Sequence, residues 1–127
     1  MSYYIERQVE GSLDEVVDRV VAALGVQGFG VLTDIDIKAT LAAKLGVEFR
    51  PYRILGACNP PFAYEALLAE DKVGAMLPCN VVVQQTDDAV SIAAVDPLAS
   101  MQAIDNPALE GIAQKVRDRL RYVVETA

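Results

Sequence analysis

The chain has 127 residues, with eleven basic and eighteen acidic side chains and a formal net charge of −7. This length is close to the commonest size of a single domain, and 53% hydrophobic residues are enough to form a core, which excludes a disordered chain. The acidic balance argues against a nucleic-acid-binding protein, because binding phosphates normally requires a basic face. We therefore expect one domain over residues 1–127 and no nucleic-acid partner.

Targeting signals and residue usage narrow the function further. The first residues lack a basic segment followed by an apolar one, and no apolar run reaches the roughly 18–20 residues of a membrane span, so we expect a cytoplasmic protein without a membrane partner. Two cysteines in a reducing compartment are not expected to form a structural disulfide. The absence of histidine removes the usual catalytic triad and the default general base, and the sequence therefore leans away from an enzyme.

The first predicted elements are a strand over residues 3–9 and a long amphipathic helix. Ser12 followed three residues later by Glu15 is a capping-box pattern, which marks a helix start. Apolar residues then recur at helical spacing. Gly25 and Gly28 are expected to end the helix, because glycine tolerates the left-handed backbone of a C-terminal cap.

A strand over residues 29–35 is expected next. Asp36 suits the N-cap of a short helix over 37–45, and Gly46 suits its C-terminal end. A third strand is predicted over 52–57.

The second half of the chain is predicted to contain a hairpin and a long final helix. The expected elements are a helix opened by Pro60 and ending near residue 70, strands over 76–85 and 90–95, a helical turn over 98–102, and a helix over 107–124. Early alternation of strands and helices would also fit an α/β protein. The hairpin and the two long helices favour an α+β fold, with an antiparallel sheet of about five strands backed by two long amphipathic helices and two shorter helices.

Two Cys-Asn turns are the features most suggestive of chemistry. Cys58-Asn59 precedes a predicted helix N-terminus, where the helix dipole favours a thiolate. Cys79-Asn80 adjoins an apolar strand, and we interpret Cys79 as a core residue, because cysteine is among the most buried residue types. For Cys58, a structural role and a functional role both stay open.

Charged residues form two further groups. Asp34, Asp36 and Lys38 lie within five residues and could serve acid–base chemistry, although capping by Asp36 is the simpler interpretation. Arg50 and Arg53 could bind a carboxylate or phosphate, or pair with surface acids instead. Neither group predicts a reaction by itself.

Three segments together carry a family resemblance. They are GFGVLTDIDIKATL at 28–41, YRILGACNP at 52–60 and LPCNVVV at 77–83. In this order, over nearly the whole chain, they resemble the domain-of-unknown-function 302 family, with Asp34 where that family often has glutamate. The resemblance implies a bacterial or archaeal α+β domain, similar to the TATA-box-binding-protein-like fold and often dimeric, and it implies no established activity. The motif positions that become candidates for one shared site are Asp36, Lys38, Cys58, Asn59, Pro78, Cys79 and Asn80.

Three functions compete on this basis. The first is a small binding module, a homodimer that holds a small-molecule ligand or a partner near the Cys58 and Cys79 turns. The second is thiol-based redox or soft-metal chemistry by the two cysteines, since thiolates are natural ligands for soft metals. The third is a purely structural or assembly role. The sequence assigns no cofactor and no metal.

Overall fold

The computed structural model describes residues 2–127 and contains one five-stranded antiparallel sheet with helices, so the predicted α+β class is confirmed. In chain order the elements are β1 (Tyr4–Val9), α1 (Leu13–Val26), β2 (Gly30–Asp36), α2 (Ile37–Leu45), β3 (Tyr52–Cys58), α3 (Pro60–Ala69), a 3₁₀ turn (Val73–Met76), β4 (Cys79–Thr86), β5 (Ala89–Val95), α4 (Pro97–Ser100) and α5 (Ala108–Thr126).

The strands lie in the order β1-β5-β4-β3-β2, and every neighbouring pair is antiparallel. In the centre of the sheet Val81 pairs with Leu55 on one side and with Ala94 on the other, and all three are fully buried. Paired residues share a face of the sheet. Buried residues of both long helices, α1 and α5, belong to the same core cluster, and this face therefore carries the main core.

Helix α1 begins as predicted, and of the two glycines expected to end it, Gly28 does so. The Ser12 side chain accepts a hydrogen bond from the backbone N–H of Glu15 at 3.2 Å. Gly25 lies inside the helix, because the chain turns only at Gly28, where φ is +86°. The N–H of Phe29 donates to the Leu24 carbonyl and that of Gly28 to the Gly25 carbonyl, the hydrogen-bond pattern of a Schellman cap.

Helix α2 has the predicted bounds and caps. Asp36 accepts a hydrogen bond from the N–H of Ala39 at 2.9 Å, and Gly46 adopts the left-handed conformation at φ +64°. No residue of α2 is buried in the described chain, residues 2–127, so this helix stands at the surface.

Two of the differences between predicted and observed boundaries have a physical explanation. Strand β4 begins at Cys79 and not at residue 76, because Val73–Met76 forms a 3₁₀ turn and Pro78, which has no N–H, cannot join the ladder. Helix α5 continues to Thr126, two residues beyond the prediction. There Arg7 from β1 donates hydrogen bonds to the carbonyls of Val124 and Ala127, which satisfies backbone groups that a helix end leaves unpaired.

No helix within residues 2–127 combines the length and the apolar character needed to cross a membrane.

Candidate functional site

An apolar cavity of about 290 Å³ lies between helices α3 and α5 and the ends of strands β3 and β4. Both Cys-Asn turns reach it. The residues that line it are Phe29, Leu32, Ala57, Cys58, Asn59, Phe62, Ala63, Ala66, Leu67, Leu77, Pro78, Cys79, Met101, Ile112, Ala113 and Val116.

The two cysteines meet at this cavity because of the strand register. Strand β3 ends at Cys58 and β4 begins at Cys79, and Ala57 pairs directly with Cys79. Both thiols are free, with Cys79 buried and Cys58 half-buried. Burial, and to a lesser degree the charge of Cys58, raises the pKa of the Cys79 thiol to about 11. At neutral pH Cys79 is therefore a neutral thiol in the cavity wall.

Asn59 has a positioning role beside the cavity. It precedes α3 without capping it, and its side-chain Nδ2 instead donates to the carbonyl of Gln27 at 3.2 Å. Arg119 on α5 donates to the same carbonyl at 3.0 Å. A Cβ atom at Gly28 would approach the Asn59 Nδ2 to 3.2 Å, so a glycine allows this close contact. Asn59 thus ties the turn after α1 to the turn before α3.

Two leucines stand at the mouth of the cavity. The register of β2 against β3 shifts between Val31 and Thr33, which makes Leu32 the extra residue of a bulge. Leu32 is 67% exposed and Leu67 on α3 is 44% exposed, although both line the cavity. The cavity is therefore open to solvent past an apolar rim.

Gly56 allows the three motif segments to pack closely against one another. A Cβ atom there would lie 2.2 Å from Thr33 Oγ1 and 2.8 Å from Pro78 Cγ. Real Cβ contacts are longer than 3.0 Å, so only glycine lets Thr33 and Pro78 approach β3 in this way.

The structure brings four of the seven candidate site residues together at the cavity, namely Cys58, Asn59, Pro78 and Cys79. Asn80 pairs with Gly56 and borders a groove on the opposite face of the sheet.

Asp36 and Lys38 lie far from the cavity. Asp36 caps α2 and stands opposite Arg53 in the strand register. Cys58 stands opposite Gly30, at the other end of β2. At the usual rise of roughly 3.3 Å per strand residue, the two ends of β2 lie about 20 Å apart. Lys38 is exposed on α2.

Arg50 and Arg53 both pair with neighbouring side chains. Arg53 donates to Asp34 Oδ1 at 2.9 Å and lies 3.3 Å from Asp14. The hydrogen bond from Arg53 lowers the pKa of Asp34. Arg50 donates to Gln84 at 2.8 Å and lies over the ring of Phe49. Of the two interpretations of Arg53, pairing with surface acids is the one observed.

Seven of the sixteen lining residues lie on α3 and α5, outside the three segments that carry the family resemblance. They are Phe62, Ala63, Ala66 and Leu67 on α3 and Ile112, Ala113 and Val116 on α5. The one available signal was the use of alanine at inward positions of both helices, because alanine fills little space between facing elements.

The arrangement offers few ligands to a metal ion. Within residues 2–127 no group of three or more cysteine, aspartate or glutamate side chains is placed to hold one. The two thiols at the cavity are the donors present there.

Comparison with known proteins identifies the family. The family model "Domain of unknown function DUF302" matches residues 5–127, and the chain belongs to this family. A solved structure, "Crystal structure of uncharacterized conserved protein DUF302 from Bacillus stearothermophilus", superposes with a TM-score of 0.93 at 30% sequence identity, covering 99% of this chain and 98% of that one. No curated protein matches the chain.

Proposed function

We propose that this member of the DUF302 family is a small binding module that holds a small-molecule ligand in the cavity beside the Cys58 and Cys79 turns. The observation that carries the proposal is the apolar cavity of about 290 Å³ bordered by both turns. Ligand sites are typically concave, mostly apolar and equipped with few polar groups. The cavity has this composition.

The energetics of packing also support a binding role. Apolar surface that stays accessible in the cavity gives up burial worth roughly 25 cal/mol per Å². The neighbouring core beneath α1 is closely filled, with Val16, Val20 and Leu24 fully buried. A space retained next to such packing is more readily explained by an occupant than by failure to pack.

A thermal-shift screen against a metabolite panel tests this function. A true ligand raises the melting temperature of the wild-type protein, because binding to the folded state alone stabilises it. The variant Ala63→Phe, which fills the cavity from α3, should lose that shift, whereas Ala22→Phe, at an exposed position of α1, should keep it. A panel without any hit, or a hit that Ala63→Phe leaves unchanged, contradicts the proposal.

Thiol chemistry is the second candidate. It is supported by the two free cysteines at adjacent strand ends, both lining the cavity. The raised pKa of Cys79 counts against it, because the thiolate is the nucleophile and the metal ligand. Alkylation by iodoacetamide against pH decides the matter, and two thiol pKa values at or above about 8.5 would rule this function out.

We also propose that the protein acts as a homodimer in the cytoplasm. Exposed apolar residues cluster on and after α2, with Leu45 69% and Val47 45% exposed, and a purely structural role would use the same surface. Leu45→Glu should convert a dimer to a monomer in sedimentation experiments, while Leu68→Glu, on the exposed part of α3, should not. A wild-type monomer at micromolar concentration contradicts the assembly.

Free cysteines fit a reducing compartment, which cell fractionation would test.

A further inference from the structure

The wall of the cavity has no charge. Within residues 2–127, which the structure describes, sixteen residues line the cavity. None of them is aspartate, glutamate, lysine or arginine. Asn59 supplies the one side-chain amide, and its Nδ2 is already engaged by the Gln27 carbonyl. Transferring an ionised group into such a site is unfavourable, because nothing replaces the water that the charge loses.

Aromatic and sulfur-containing side chains make up five of the sixteen residues of this wall. Phe29 and Phe62 both line it, and the guanidinium of Arg119, which is not among the lining residues, lies 5.1 Å from the Phe62 ring centroid. Met101 and the two thiols add polarisable sulfur. Sulfur and aromatic edges both make favourable contacts with a flat aromatic ring.

The volume limits the size of the occupant. An engineered apolar cavity of about 150 Å³ holds benzene, and in proportion a cavity of about 290 Å³ holds about a dozen non-hydrogen atoms. This is the size of a fused two-ring aromatic compound with a short substituent. Such a molecule would enter between the exposed side chains of Leu32 and Leu67.

We propose that the cavity selects uncharged aromatic compounds of about two rings over charged ones of the same shape. This inference rests on the binding function proposed above and adds the chemical class of the ligand. The uncharged wall excludes ionised compounds, and the two phenylalanines and Met101 favour ring systems over flexible chains.

A matched pair of compounds tests the selectivity. 2-Acetylnaphthalene and 2-naphthoate have nearly the same shape, but at pH 7 only the second carries a charge. Isothermal titration of the wild-type protein should show the ketone binding at least about tenfold more tightly, a conservative figure for burying an unpaired carboxylate. Equal or tighter binding of 2-naphthoate overturns the inference. It is also overturned if the ketone does not bind.

Two variants separate this inference from the function beneath it. Ala63→Phe should abolish binding of the ketone and Ala22→Phe should preserve it, with circular dichroism confirming that both are folded. If Ala63→Phe does not fold, Ala63→Leu provides a milder obstruction and should weaken binding. Suppose that the wild-type protein binds 2-naphthoate as tightly as the ketone and that Ala63→Phe abolishes this binding. The cavity is then a binding site, and only the ligand class is wrong. If Ala63→Phe blocks a panel metabolite while neither naphthalene binds, the binding function likewise stands and the ligand class falls.

Discussion

The same face of the sheet is filled beneath one helix and hollow beneath another. Under α1, the branched side chains of Val16, Val20 and Leu24 belong to the core cluster that contains Val81 and Ile92. Between α3 and α5, alanines take several of the inward positions (Ala63, Ala66 and Ala113), and a cavity remains. Both regions are apolar, so hydrophobicity alone does not distinguish them. The difference lies in side-chain volume.

This difference teaches where function can reside in a fold of this kind. The region beneath α1 supplies stability, since close packing there gains both apolar burial and dispersion contacts. The region beside α3 gives up part of that gain and offers accessible apolar surface instead. Substitutions that change side-chain volume should therefore have opposite consequences in the two regions.

The largest expected effect comes from emptying the filled region. Leu24→Ala removes a fully buried side chain and should lower the free energy of unfolding by about 3–5 kcal/mol, through lost burial and a new cavity. Urea denaturation monitored by circular dichroism measures it. A loss below about 1 kcal/mol would mean that this region is not closely packed.

Adding volume should separate the regions by sign. Ala94→Leu overpacks the centre of the sheet and should destabilise by about 1–3 kcal/mol, whereas Ala63→Leu extends into the cavity and should be neutral or stabilise by up to about 2 kcal/mol. Parallel urea titrations compare the two variants. Equal destabilisation by both would contradict the difference in packing.

Alkaline pH should report on the thiol in the cavity wall. Because the pKa of Cys79 is raised to about 11 in the folded state, the unfolded chain loses this proton first as pH rises from about 9. Folding stability should then fall by about 1–2 kcal/mol up to pH 11, and Cys79→Ala should remove that part of the fall. Thermal unfolding at stepped pH measures it. An identical pH dependence in Cys79→Ala and wild type would show that Cys79 is not desolvated.

The smallest effect is expected at the exposed ion pair of Arg53 and Asp34, outside both packed regions. The pKa of Asp34 is lowered by Arg53, so its contribution to stability is present above the unfolded-state pKa of about 3.9 and is lost as pH falls below it. Asp34→Asn should cost less than about 1 kcal/mol at pH 7, because the carboxylate is partly exposed. If Asp34→Asn is still less stable than the wild-type protein at pH 2, its effect comes from packing rather than from charge.

Much of the fold was predictable because its signals are local. The Ser12 cap, the Asp36 cap and Gly46 at the end of α2 each act within one helical turn. The start of β4 was not predictable in the same way, because apolar residues before Cys79 serve a 3₁₀ turn as well as they would serve a strand.

The candidate site was only partly predictable, for a related reason. The Cys58 and Cys79 turns were visible as motifs, but their meeting depends on the pairing of β3 with β4. The alanines of α3 and α5 enclose a cavity only once these helices pack together. Asp36 shares a motif with cavity neighbours such as Phe29, yet the length of β2 separates it from the cavity.

A methyl-resolved NMR titration with 2-acetylnaphthalene tests the central claim, a cavity beside the Cys turns that holds an uncharged aromatic ligand, most directly. The account predicts saturable shifts in the methyl signals of Leu77, Met101 and Ile112, which line the cavity, and unchanged signals from Val16 and Leu24 beneath α1. Saturable shifts centred on the α1 side, or signals at Leu77, Met101 and Ile112 that stay fixed at saturating ligand, would contradict it.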